Sequence, residues 1–258
     1  MKWFGRIYST LFFVFWAAVM IPTTLFLGII LIALASVLPA SIAGFLKAIP
    51  RFWGKLAVFS TFSRVEVTGK DNIRHEPGIF LSNHQSPFDI YTALGFYPDD
   101  FLFLSKKEIF KIPLIGTAMR KLGYISVDRG NISAAFRSLR EIIRRLKENN
   151  RVLIYPEGTR SENPDEMLPF KAGTLVAARQ GPFPIFPVVL YGTAAVAPLK
   201  QAMTIKPGVI AVDILPPIPV DDPLHPAAKS EIPEGVRLEK IRERMVESYN
   251  RMKAIYGR

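Results

Sequence analysis

The sequence predicts an α/β domain behind an apolar, helical N-terminal anchor, on three observations. Residues 7–46 hold no charged side chain, although the 258-residue chain carries a formal net charge of +11. From Arg64 onward, short apolar runs end in turns and alternate with stretches of helical period, the texture of an α/β domain. One of those turns, inside Gly78-Ile-Phe-Leu-Ser-Asn-His-Gln-Ser-Pro-Phe-Asp89, places a histidine and an aspartate where they can meet.

The apolar stretch is about twice the roughly 20 residues a helix needs to cross a bilayer, and far too long for a signal peptide. Pro22-Thr-Thr interrupts it and Leu38-Pro-Ala-Ser closes it. One long tilted helix, a hairpin, or a helical pair within one leaflet all fit. Lys2 and Arg6 flank one end and Lys47, Arg51 and Lys55 the other, which favours both ends on the cytoplasmic face, hence a hairpin or a half-embedded pair. Residues 1–60 are expected to form this anchor and residues 61–258 the catalytic domain. The positive mean hydropathy beside so much basic charge suits lipid headgroups or phosphates. No nucleic-acid-binding signature accompanies the charge. With no cysteine, and with His75, His84 and His225 in unrelated contexts, no metal site is expected.

In chain order, Arg64–Thr68 alternates as a half-buried strand, and Gly78–Ser82 reads as a buried one. Pro87 fits the first position of a helix, with Ser86 as its cap and Asp89 at capping-box spacing. His84 then sits in a tight strand-to-helix loop with Asp89 just behind it. An imidazole held by a carboxylate can act as a general base near neutral pH; an Asp89 that only caps the helix is the plainer alternative. Phe101–Leu104 is a further strand, and Ser105-Lys-Lys-Glu108 repeats the capping-box spacing before a short helix ended by Pro113. Lys106 and Lys107 would lie in the first turn, where the dipole disfavours cations: either an anionic ligand sits nearby or the pair is simply solvated.

Gly123–Val127 is a strand, Asn131 a cap, and Phe136, Leu139, Ile142, Ile143 and Leu146 the apolar stripe of the next helix. The strand Arg151–Tyr155 leads into Pro156-Glu-Gly-Thr-Arg-Ser161, a strand end of the kind where α/β sheets place ligands. Gly158 allows close backbone approach, Thr159 and Ser161 offer hydroxyls, and Arg160 offers a planar fork suited to phosphate. A helix opening at Phe170 brings Lys171 near amides that could receive an anion. Residues 184–190 and 209–215 are strands, and residues 216–233 are irregular. Leu238, Ile241, Met245, Tyr249, Met252 and Tyr256 mark an amphipathic helix packed on the domain.

Four blocks resemble the glycerolipid acyltransferases, in particular their bacterial 1-acyl-sn-glycerol-3-phosphate acyltransferases. They are Asn83-His-Gln-Ser-Pro-Phe-Asp89, Gly123-Tyr-Ile-Ser-Val-Asp-Arg129, Tyr155-Pro-Glu-Gly-Thr-Arg-Ser161, with Tyr where Phe is common, and Ile185-Phe-Pro-Val188. The resemblance implies a mixed central sheet flanked by helices. It also implies transfer of an acyl group from a thioester, acyl-coenzyme A or acyl-acyl carrier protein, to the sn-2 hydroxyl of lysophosphatidic acid, giving phosphatidic acid without cofactor or metal. By the same resemblance His84 is the general base, with no acyl-enzyme, and Asp89 orients it. Glu157, Gly158, Thr159 and Arg160 hold the acceptor's phosphate end, Lys106 and Arg129 serve the same anion or the donor's phosphates, and the site faces the cytoplasm from the inner membrane. Another lysolipid or glycerol 3-phosphate as acceptor, a hydrolase, or a non-catalytic lipid-binding scaffold are the rival expectations.

Overall fold

The computed structural model describes residues 2–128, 132–201 and 203–257. It opens with α1 (Lys2–Val37), a 3₁₀ turn (Ala40–Lys47) and α2 (Ala48–Phe59). Strand β1 (Arg64–Thr68), β2 (Ile79–Ser82), α3 (Phe88–Phe96), β3 (Leu102–Lys106), α4 (Ile115–Lys121) and β4 (Ile125–Val127) follow. The chain continues through α5 (Ile132–Lys147), β5 (Val152–Ile154), α6 (Val176–Arg179), β6 (Ile185–Tyr191), α7 (Thr193–Val196), β7 (Val209–Ile214) and α8 (Glu234–Tyr256).

The strands form one sheet in the order β1-β7-β6-β2-β5-β3-β4. Neighbours are parallel except β6 and β7, so the sheet is mixed. The period of two divides its faces. Ile79, Leu81, Val152 and Ile154 pack with Ile142 and Leu146 of α5 and with Leu238, Ile241, Met245 and Tyr249 of α8. Phe80, Leu153, Phe186 and Val188 point the other way, against Ala93 and Tyr97. The C-terminal helix thus packs on the domain, as its spacing predicts, whereas Phe136, assigned to the apolar stripe of α5, is exposed.

On the second face the N-terminal helices are layered over α3. Gly54 of α2 lies so close that a Cβ would stand 2.6 Å from the Tyr91 carbonyl oxygen and 2.8 Å from the Gly95 nitrogen. Helix α1 runs antiparallel to α2, with Trp16 Nε1 donating to the Ala57 carbonyl (2.9 Å) and Trp53 Nε1 to Thr24 Oγ1 (2.8 Å). Pro22 does not break α1, contrary to the interruption expected there. Its ring removes one backbone donor, and the lateral packing of Phe12, Phe13, Trp16 and Thr24 carries the helix through. The opposite side of α1, including Leu11, Phe15, Ile21, Leu25 and Ile29, is exposed. Among the described residues α1 is the helix long and apolar enough to cross a membrane.

Two further expectations are corrected. Lys106 ends β3 and Lys107 follows it, because pairing with β4 (Ser105↔Ser126, Lys106↔Val127) outweighs the capping spacing. Only a 3₁₀ turn, Ile109–Lys111, comes before Pro113, and the helix α4 comes after it. The helix expected from Phe170 is a 3₁₀ turn, Ala172–Leu175, running into the short α6.

Candidate active site

The middle of the sheet brings two loops together. Strands β2 and β5 pair with Leu81 opposite Ile154, so the residues three beyond each, His84 and Glu157, meet at their C-terminal ends. The loop after β2 is fixed first by Asn83, fully buried. Its Nδ2 donates to the Leu190 carbonyl (2.9 Å) and its Oδ1 accepts from the Leu190 amide (2.7 Å), continuing the ladder to β6 by a side chain. The chain then turns into α3, whose N-terminal flank is Pro87 rather than Ser86. Ser86 still caps it, through Oγ accepting from the Phe88 amide (3.1 Å).

Asp89, in the first turn of α3, is buried, and one of its oxygens accepts three hydrogen bonds. Oδ2 receives the amides of Gln85 (2.6 Å) and Ser86 (2.8 Å) and lies 2.8 Å from His84 Nδ1. Capping and orientation of the imidazole are therefore one interaction. With Nδ1–H donating to Asp89, the lone pair is on Nε2, which makes no hydrogen bond among the described residues. The His84 side chain retains 14% exposure against 1% for Asp89, so the ring edge is open while its support is not.

The second loop supports the histidine from beneath. The Tyr155 ring stacks on the imidazole at 4.0 Å between centroids and 14° between planes. Burial holds the Tyr155 hydroxyl well above its ordinary pKa. Glu157 Oε1 accepts from the His84 amide (2.7 Å) and Oε2 from the Leu168 amide (2.9 Å), and the Ser161 amide donates to the His84 carbonyl (2.9 Å). Burial pushes the Glu157 carboxyl up to about 7, against the two backbone donors that pull it down. The residue expected to touch the acceptor is thus buried, with both oxygens engaged by the protein. Gly158, at φ +70°, turns the loop, and a Cβ there would stand 2.9 Å from Lys171 Nζ.

Thr159 is exposed and Arg160 half-buried beyond that turn, and Arg160 meets no carboxylate among the described residues. Lys106 is exposed at the end of β3, the strand beside β5, also without an ion pair among the described residues. Lys107 is instead held by Asp128 (2.6 Å), which raises its pKa. Arg129 lies outside the described residues, as does Asn131. No group of three or more metal-ligating side chains occurs among the described residues. His225 is buried by Phe183 and Ala227 and His75 pairs with Asp99, both away from this loop cluster.

The acyltransferase family model matches residues 64–191, which hold both loops and all of the sheet but β7. The chain belongs to the acyltransferase family. Family relatives include the 1-acyl-sn-glycerol-3-phosphate acyltransferase of Limnanthes alba, 36% identical over 66% of this chain and 59% of that protein. The protein of the same name from Saccharomyces cerevisiae is 34% identical over 71% of this chain and 59% of its own length. The chain thus spans about three-fifths of these curated relatives. Among solved structures it is similar to the 1-acyl-sn-glycerophosphate (LPA) acyltransferase PlsC of Thermotoga maritima, with a TM-score of 0.80 and 27% identity over 98% of both chains. The mixed sheet with an apolar helical N-terminus is therefore the acyltransferase fold that the sequence blocks imply.

Proposed function

We propose that this acyltransferase moves a fatty acyl group from an acyl thioester to the sn-2 hydroxyl of lysophosphatidic acid, giving phosphatidic acid. The observation that carries this reading is the His84–Asp89 pair, with an unengaged Nε2 at the open ends of β2 and β5, beside cations that no carboxylate among the described residues neutralises. His84 Nε2 takes the hydroxyl proton as the acceptor oxygen bonds to the thioester carbonyl carbon. The carbon–sulfur bond then breaks, and the departing thiolate takes the proton back from the imidazolium. No acyl-enzyme forms. Asp89 holds Nδ1–H throughout and stabilises the imidazolium between the two transfers.

Arg160, with Thr159 and the turn at Gly158, holds the acceptor's phosphate, and Lys106 and Arg129 serve the same anion or the donor's phosphates. Fixing the phosphate places the hydroxyl against Nε2, and positioning of this kind lowers a barrier by several kcal/mol. The donor is acyl-coenzyme A or acyl-acyl carrier protein.

Residues 1–60 act as the membrane anchor and residues 61–258 as the catalytic domain. A helix docked on the domain through Trp16 and Thr24, with an uncharged and predominantly apolar exposed side over residues 7–37, suits half-immersion in one leaflet better than a crossing. Lys47, Arg51 and Lys55 then meet anionic headgroups, and the site works on the cytoplasmic face of the inner membrane. The test is acyl transfer by the purified chain in liposomes. Labelled donors of both kinds would be offered with lysophosphatidic acid, glycerol 3-phosphate or lysophosphatidylcholine. Phosphatidic acid formed from lysophosphatidic acid by the wild type and not by His84→Ala is the expected result. Equal turnover by His84→Ala, or no product with either donor, overturns the reading.

A further inference from the structure

The C-terminal helix lies outside the region matched by the family model, yet it reaches the histidine loop through a short chain of hydrogen bonds. Arg242 of α8 donates from Nη2 to the Met167 carbonyl (2.6 Å) and from Nε to the Leu168 carbonyl (3.2 Å). The Leu168 amide donates to Glu157 Oε2 (2.9 Å), and Glu157 Oε1 receives the His84 amide (2.7 Å). A second strand of contacts runs in parallel. The Tyr249 hydroxyl of α8 donates to the Pro164 carbonyl, which also accepts from Gln85 Nε2 (2.7 Å), and Gln85 follows the histidine. Residues 162–168 are thus a strap gripped by α8 on one side and by the histidine loop on the other.

We infer that Glu157 and Arg242 are positioning residues for His84, through which α8 sets the place of the general base. The inference rests on the reading of His84 as that base. It assigns Glu157 a backbone-holding role in place of contact with the acceptor's phosphate, because an anion-binding site gains nothing from a buried carboxylate. The carboxylate form is required for the double grip. A protonated Glu157 keeps one oxygen as a free acceptor and turns the other into a donor facing an N–H. The charged groups around it are Asp89 on α3, which opposes ionisation, and Arg242 on α8, which favours it. His84 lies above it, and Lys171 lies over the adjoining Gly158.

The experiment uses the full chain in mixed micelles, with Glu157→Gln, Arg242→Met and Arg242→Lys beside the wild type and His84→Ala. Glu157→Gln puts an amide N–H against one of the two backbone donors, so kcat is expected to fall about tenfold or more while the acceptor KM stays within about twofold. Arg242→Met is expected to lower kcat about threefold to tenfold by loosening the strap, with Arg242→Lys restoring part of the loss. The pH dependence of kcat is expected to contain an ionisation near 7 that Glu157→Gln removes. A rise in acceptor KM at constant kcat in Glu157→Gln would return this residue to the phosphate site and overturn the inference. So would an unchanged kcat and pH profile. Hydrogen exchange at the His84 and Leu168 amides, slow in the wild type and fast in Glu157→Gln, reads the linkage without any turnover. Failure of the linkage is then separable from failure of the acyl-transfer reading.

Discussion

Replacing Asp89 by Asn isolates the charge behind His84, the proposed general base. The three donors converging on Oδ2, from Gln85, Ser86 and His84, select the amide oxygen for that position, because the NH₂ group would face two backbone N–H groups at 2.6 and 2.8 Å. The variant therefore keeps the loop, the hydrogen bond and the histidine tautomer, and loses only the negative charge. At 2.8 Å and an effective dielectric of about 20, a full charge pair is worth about 6 kcal/mol. In the proposed general-base step the imidazolium is only partly formed in the transition state, and the amide dipole retains some attraction, so a loss of transition-state stabilisation of roughly half of that, about 3 kcal/mol, is expected. That corresponds to about a 10²-fold fall in kcat. The new NH₂ takes the place of Oδ1, which is buried without a partner, so the variant is also expected to be less stable by about 1–3 kcal/mol. Initial rates of thiol release at saturating acceptor, corrected for folded fraction by thermal melts, measure the effect. A kcat within about threefold of wild type would refute the role of the charge and leave Asp89 as a helix cap.

Three other outcomes follow from the same geometry. Arg160→Ala is expected to raise the KM for lysophosphatidic acid about tenfold or more, by loss of a charge-assisted contact, with kcat nearly unchanged; an unchanged KM would move the phosphate site elsewhere. Gly54→Val drives a side chain into the backbone of α3 and is expected to cost about 1–3 kcal/mol, seen as a lower melting temperature in detergent. A melt identical to wild type would mean that α2 is not seated on α3 in solution. Glu157 binds its proton more tightly folded, near 7, than unfolded, at its ordinary 4.5, so its contribution to stability is greatest in acid and declines as pH rises through that interval. The wild type is therefore expected to lose on the order of 3 kcal/mol relative to Glu157→Gln between pH 4.5 and 7.5. Urea midpoints that stay parallel for the two proteins over that range would contradict it.

All seven strands among the described residues are legible in the sequence because each is a short apolar run bounded by turn residues. The parallel centre of the sheet needs no alternation to be recognised. The His84–Asp89 pair is legible for a different reason: the partners stand five positions apart across one tight turn, so local geometry decides the contact. What escapes a linear reading is what strand adjacency creates. Glu157 lies 73 residues from His84 and meets it only because β2 pairs with β5 in a particular register. The Asn83 clamp on Leu190 and the Tyr155 stack have the same origin. The motif marks Tyr155 and Glu157 as belonging to a site, but not whether each faces the ligand or the backbone. Pro22 and the two lysines after Ser105 mislead because local preference was outweighed by packing in the first case and by a strand ladder in the second.

The close approach of α2 and α3 at Gly54 and Gly95 has a mechanical consequence. Helix α3 lies between the apolar layer and the histidine loop, and its first turn carries Asp89. The height of His84 Nε2 relative to the apolar surface is therefore fixed by backbone resting on backbone, not by the reach of a tether. In the proposed half-immersed form the molecule would work like a depth gauge. The bilayer would supply the datum, and a hydroxyl of the proposed lipid acceptor would be reached according to how far its glycerol stands above the acyl chains. Discrimination between hydroxyls on similar lipids then becomes partly a matter of elevation, with no side chain needed to read the difference.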